Sequence, residues 1–231
     1  MPYSSVMGNS APTPGAGSRR TGDPAASGGP APPGTRARQR ADTRERLFEA
    51  ALREFAQVGF AGAQIDRIAR TAGVARGTFY FHFPTKDDVL LELAQRINAR
   101  VVRRLEQLEA TGPSLEALLT QLGEAVVEEH GRIAEAGLAT DVLSIYTRRP
   151  VELRERLHAV RASTVTDALA TALRRLVREG ELEETVPPEE LAAIVTSSLI
   201  GVLARAQPGE PVRRARDVLI GIWVRGLGAG A

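Results

Sequence analysis

From Ala41 to the end of the chain, apolar residues recur three and four positions apart, and no window of four or more residues alternates convincingly as a strand would. That period predicts an all-α fold. Leu47, Phe48, Ala51, Leu52 and Phe55 define a first helix from about Asp42 to Val58, which stops before Gly59. A short second helix carries Ile65, Ile68 and Ala69, and Ala72-Gly73-Val74 separates it from a third over about Ala75 to His82. Pro84 then interrupts the pattern, and Thr85 is placed to cap a long fourth helix from about Lys86 to Glu109. Breaks at Gly112-Pro113, near His130-Gly131, at Pro150, at Pro187-Pro188 and from Gln207 to Pro211 predict further helices near 114–129, 132–147, 151–179, 188–206 and 211–226. Ser114 is suited to cap the first of these. The expected architecture is a three-helix head over residues 41–85 and a roughly six-helix body over 86–231. No repeat of fixed period marks a solenoid.

Residues 1–40 read differently. Pro, Gly, Ala, Ser and Thr dominate up to about Thr35, with too little apolar bulk to offset ordering entropy, so this arm is expected to be disordered. It ends in Arg36, Arg38 and Arg40, residue types that suit a nucleic-acid backbone. Charge is distributed unevenly along the chain. Residues 1–41 hold five Arg and one Asp, residues 42–86 hold seven basic and five acidic groups, and the rest hold eighteen basic and twenty-two acidic groups. A basic front on an acidic body points the front toward a polyanion.

Composition removes several other functions. The chain has no cysteine, so disulfides and thiolate metal sites are ruled out. No window approaches twenty consecutive apolar residues and no secretory signal is evident, so a cytoplasmic protein without a membrane span is expected. His82, His130 and His158 lie far apart with no partner at metal-ligand spacing, and no phosphate loop, nucleophile elbow or HExxH occurs. Neither a metal, a cofactor nor catalysis is expected.

Two short helices joined by a tight Gly-containing turn have the form of a helix-turn-helix, whose second helix enters the major groove. The segment TRERLFEAALREFAQVGFAGAQIDRIARTAGVARGTFYFHFPTKDDVLLEL, Thr43 to Leu93, resembles the N-terminal domain of the TetR family of bacterial transcriptional regulators. Gly59-Phe60, Ile68-Ala69, Ala72-Gly73-Val74, Thr78, Tyr80, Phe83 and Lys86 carry the match, and beyond Leu93 the likeness is one of architecture.

The resemblance implies double-stranded operator DNA as a partner, and the chemistry of each side chain can be set against that role. Arg76 suits a guanine edge, Thr78 a base edge, phosphate or thymine methyl, and Gly77 a close approach of the backbone to the duplex. Tyr80 and His82 suit phosphates, and Phe81 suits sugar or a thymine methyl. Lys86, the sole lysine, falls at a helix start where a phosphate is favoured. The family commonly opens its second helix with Thr or Ser. Here Ala63-Gln64 stands in that place, leaving the Gln64 amide, with Arg44 and Arg67 as compensating cations. Phe79 and Phe83, four apart and in line with Val74, are expected to face inward, and Tyr80, Phe81 and His82 outward.

In the body, polar residues among apolar ones mark a candidate pocket for a small-molecule effector: Thr140, Ser144, Tyr146, Ser163, Thr164 and Thr166. The same hydroxyls could instead bond back to their own helices. Similar helices to the last two form the dimer interface in the family, which makes Leu191, Val195, Ser198, Leu199, Val202, Leu219 and Trp223 candidates for a homodimer contact, with part of each face claimed by the internal core. The expected function is a homodimeric regulator, repressor in type, released from a palindromic operator by a small effector. The alternative is a DNA-binding protein whose body recruits a protein partner.

Overall fold

The computed structural model describes residues 33–148, 163–205 and 212–227, together with positions 151 and 155. Among these residues the secondary structure is helical and no strand occurs. The chain begins with α1 (Pro33–Gly62), α2 (Ile65–Thr71), α3 (Arg76–His82) and α4 (Lys86–Glu109). It continues with α5 (Leu115–Glu135), α6 (Ala139–Arg148), α7 (Val165–Glu179), α8 (Pro188–Arg205) and α9 (Val212–Leu227).

The expected arm changes at its end. Pro33 through Arg40 are helical and continuous with α1, with Pro in the first turn, where its missing N–H forfeits nothing. The rest of that arm, residues 1–32, lies outside the described residues. Helical geometry fails at Gly59, with φ 73° and ψ 160°, which is where the sequence places the end of the first helix. Between α2 and α3 the chain makes a Schellman turn: Gly73 N–H donates to Arg70 C=O and Val74 N–H to Ala69 C=O, both at 3.0 Å. Gly73 sits there at φ 68°, a conformation that a Cβ would disfavour.

Thr85 and Asp88 close a capping box on α4, and Ser114 accepts the Ala117 N–H at the start of α5, both at the caps that the sequence predicts. Two boundaries in the body differ from expectation. α5 runs straight through His130-Gly131 and ends at Ala136, where Gly137 adopts φ 70° and Leu138 N–H returns to Ile133 C=O at 2.8 Å. A glycine inside a helix is tolerated when the flanking turns pack, and here Val127, Glu129 and Ile133 are all buried. The expected helix over 151–179 is also not continuous. Thr164 is the N-cap of α7 and closes a capping box with Asp167, so a helix begins there.

Two hydrophobic cores organise the molecule. The first joins Leu47, Phe55, Ile68, Phe79 and Phe83 to Leu90 and Ala94 of α4 and to Val142 and Ile145 of α6. The second joins Val101 and Leu105 of α4 to Leu118, Leu122, Leu173, Val195 and Ile220. The apolar division thus falls within α4, between Ile97 and Val101, and the first half of that helix packs as part of the head.

Candidate nucleic-acid interface

Helix α3 has seven residues, too few to be stable alone, and its seat is made by the two rings that point inward. Phe79 and Phe83 are fully buried, with ring centroids 5.8 Å apart, and Tyr80 meets Phe79 edge-on at 5.7 Å. Much of the rest of α3 is turned to solvent. Arg76, Gly77, Tyr80 and Phe81 are exposed, Phe81 at 63%, and Thr78 is half-buried. A Cβ built at Gly77 would meet nothing within 4 Å, so packing within the chain does not demand glycine there.

Arg76 lies on this surface as a latched donor. Its Nη1 reaches Asp66 Oδ2 at 2.8 Å, and its Nη2 donates to Tyr80 Oη at 3.3 Å. The Tyr80 and Asp66 bonds hold its pKa above the ordinary guanidinium value. An exposed ion pair of this kind is weak and easily exchanged for another acceptor. Gln64, the N-cap of α2, is exposed and makes no side-chain cap bond. Its backbone N–H is instead taken by Glu54 Oε1 at 3.1 Å, and the same oxygen accepts Arg67 Nε at 2.7 Å. Burial opposes the Glu54 charge, but the Gln64 N–H, Arg67 and Lys86 outweigh it and leave the carboxyl pKa lowered. Arg67 is therefore a partner of a buried carboxylate.

Three residues expected at the duplex are engaged with other parts of the chain. His82 is 8% exposed rather than outward-facing, with Phe81 edge-on against its imidazole at 5.1 Å and the Arg40 side chain of α1 lying over the Phe81 ring. Arg44 donates Nη1 to the His82 carbonyl, pairs through Nη2 with Glu92 Oε2 at 2.5 Å, and lies over the Phe83 ring at 4.2 Å. It ties α1, α3 and α4 together. The Lys86 ammonium is turned onto the chain itself. Its Nζ donates to the carbonyls of Phe60, Ala61 and Ala63 at 2.9, 3.3 and 3.0 Å, so its three ammonium protons are all engaged. Sequence reasoning missed this because the acceptors are main-chain carbonyls freed at the Gly59 kink, which leave no trace in side-chain pattern.

A further ladder has no counterpart among the sequence expectations. Arg96 of α4 spans Glu45 of α1 through two bonds of 2.8 and 2.6 Å, reaches Glu92 at 2.6 Å, and stacks on Phe48 at 3.8 Å. These contacts hold its pKa above the ordinary guanidinium value, the Glu45 bonds contributing most. With Arg44–Glu92 they bind the head to the first half of α4.

Burial, and after it the charges of Arg44 and Arg40, lower the pKa of His82 below the ordinary histidine value. The unfolded chain therefore takes up this proton before the folded one, so stability is full above about pH 6.5 and falls as the pH drops through that value. The melting temperature is expected to be lower at about pH 5.5 than at about pH 7.5, with the difference reduced in His82→Gln. A pH-independent melting temperature in the wild type would contradict it.

Five of the six candidate pocket residues have their hydroxyls engaged within the chain. Thr140 is exposed, Ser144 Oγ donates to Asp141 C=O at 2.6 Å, and Tyr146 donates to Ala94 C=O at 3.1 Å, where burial raises the pKa of its hydroxyl. Ser163 Oγ donates to Thr164 C=O, Thr164 caps α7, and Thr166 meets Thr196 at 3.0 Å. A surface depression of about 170 Å³ between α4 and α5 contains none of the six and is occupied by Arg100, Arg104 and Arg132 paired with Glu128 and Glu129. Among the described residues no group of three His, Asp or Glu could hold a metal, and no helix is long and apolar enough to cross a membrane.

Of the candidate dimer residues, Val195 and Leu199 are buried in the second core, and Leu191, Leu219 and Trp223 pack against it. Ser198 and Val202 are half-buried. The outward apolar residues are their neighbours, Ile194 on α8 with Val218 and Ile222 on α9. α8 is apolar almost all round, so periodicity alone leaves its phase open by one residue, about 100° of rotation.

A short helix seated by buried rings, with an exposed polar outer face and a Schellman turn before it, defines a helix-turn-helix protein. Residues 47–93 match the model of the bacterial regulatory proteins, tetR family. The chain is 30% identical to the HTH-type transcriptional regulator EthR of Mycobacterium tuberculosis over 72% of its own length and 78% of EthR. It is 25% identical to the HTH-type transcriptional repressor AcnR of Corynebacterium glutamicum, over 77% of this chain and 89% of AcnR. Among solved structures, FadR of Thermus thermophilus, a TetR-family repressor in complex with lauroyl-CoA, is similar with a TM-score of 0.65 and 25% identity, covering 79% of this chain and 94% of FadR. The chain belongs to the TetR family of transcriptional regulators.

Proposed function

We propose that this regulator acts as a homodimeric repressor that reads a palindromic operator through α3 and leaves it when a small effector binds the body. The observation that carries the reading is the division of α3 into an inner face of buried Phe79 and Phe83 and an outer face offering Arg76, Gly77, Tyr80 and Phe81. Such a helix can be held rigidly while its polar edge enters a major groove. One recognition helix reads only a few base pairs, so a second copy follows from the function, and the exposed Ile194, Val218 and Ile222 offer an apolar surface for it.

For the effector, an acyl compound is the class the reading favours. The similar FadR of Thermus thermophilus binds lauroyl-CoA, and past residue 86 this chain has only Tyr146 and Trp223 as aromatic rings, which gives little for a flat ligand to stack on. Release follows if the effector prefers the conformation whose heads no longer match two successive major grooves. α4 is the lever, because its first half is bonded to the head and its second half belongs to the body core.

A duplex selected from a random pool by the full-length protein serves as the probe. Arg76→Ala is expected to lower affinity for it by about 5- to 150-fold while leaving affinity for a scrambled duplex nearly unchanged. Equal affinity of wild type for both duplexes, or an Arg76→Ala variant with undiminished discrimination, would overturn the assignment of α3.

A further inference from the structure

The opening turns of α1 contribute nothing to the core. Every residue from Thr35 to Asp42 is exposed, and the first core begins only at Leu47. A helix extended by two turns beyond its core needs another reason. Within this extension stand Arg36, Arg38 and Arg40, opposed by Asp42 as its one acidic residue, and among the described residues none of the three arginines has a carboxylate within ion-pair distance. Arg36, Arg40 and Arg44 follow one another at intervals of four and form a single stripe, while Arg38 lies on the other side of the helix. Two contacts fix the direction of the stripe. The Arg44 guanidinium lies over Phe83 and the Arg40 guanidinium lies 4.6 Å from the centre of the Phe81 ring, so the stripe runs beside the outer face of α3.

We propose that the N-terminal extension of α1 is a second DNA-binding element, in which Arg36 and Arg40 contact phosphates flanking the groove that α3 enters. The proposal rests on the reading of α3 as the recognition helix. Phosphate is favoured over base edges because Arg36 and Arg40 leave the same side of the helix about 6 Å apart along its axis, an arrangement that suits a repeating charged backbone. Phe81 holds Arg40 at the protein surface through its ring face and leaves the guanidinium edge free to donate. Because the extension is already helical, less ordering is required at binding than for a flexible arm.

The test is the salt dependence of binding by the full-length protein, between about 50 and 200 mM salt, on the selected duplex and on a scrambled one. Removing one phosphate-binding cation reduces the slope of log affinity against log salt by about 0.9, so Arg36→Ala/Arg40→Ala is expected to reduce it by about 1.8 per bound chain on both duplexes. Discrimination between the duplexes stays at the wild-type value. Arg36→Lys/Arg40→Lys retains most of the slope, and Arg38→Ala leaves it unchanged. An unaltered slope in the double Ala variant would overturn the proposal, as would weakened discrimination at an unchanged slope. Because the substituted residues are exposed, an unchanged melting curve verifies folding. Arg76→Ala, measured alongside, separates the two readings: if it erodes discrimination while the double variant behaves as wild type, only the extension has been wrongly assigned.

Discussion

Phe79→Ala is expected to destabilise the head by about 3–5 kcal/mol, the range for truncating a fully buried ring. Phe79 is completely buried, it is the inner half of the α3 seat, and its ring meets both Tyr80 and Phe83. The surrounding helices are anchored to α4 by Arg44–Glu92 and Arg96–Glu45, so they cannot close readily on the cavity. The effect should be local. Hydrogen exchange of the α1 to α3 amides is expected to accelerate strongly, while the fluorescence of Trp223, which packs against the second core, keeps its denaturation midpoint. DNA affinity falls with the seat, although no contacting residue has changed. Unaltered exchange in α1 to α3 would show that Phe79 does not hold the helix.

Lys86→Met is expected to cost about 2–3 kcal/mol, because it leaves the Phe60, Ala61 and Ala63 carbonyls without their charged donor. Met keeps apolar bulk beside the Phe60 ring, against which the Lys86 ammonium lies at 5.1 Å, so the substitution isolates the hydrogen bonds. Urea denaturation followed by far-ultraviolet circular dichroism measures the effect. A phosphate-binding Lys86 would give the opposite pattern, with stability preserved and the salt slope of DNA binding reduced by about 0.9. The two outcomes cannot be confused.

Much of the head is legible in sequence because its signals are local. Gly59 ends the regular part of α1, Gly73 makes the turn, Thr85 caps α4, and Phe79 and Phe83 lie four apart on one face. Each is a statement about neighbours within a turn of helix. The body is less legible for the same reason. His130-Gly131 has the look of a break but lies within α5, and Thr164 caps a helix whose start the apolar pattern does not show. In α8, Val195 and Leu199 turn inward and Ile194 outward, since a helix apolar on nearly every side carries no phase.

The sequence by itself determined an all-α chain, the helix-turn-helix with its two inward rings, and the family to which it belongs. These depend on period, caps and turn residues, which act over a few positions. Only the tertiary structure decided which partners within the chain the basic side chains of the head meet. Arg44, Lys86, Arg67 and Arg96 hold helices together, whereas Arg36, Arg40 and Arg76 stand at the surface beside or on α3. A guanidinium or ammonium reads the same in sequence whether it meets a phosphate or a carbonyl of its own chain. The partner is selected by which acceptors folding brings within about 3 Å, often from residues dozens of positions away.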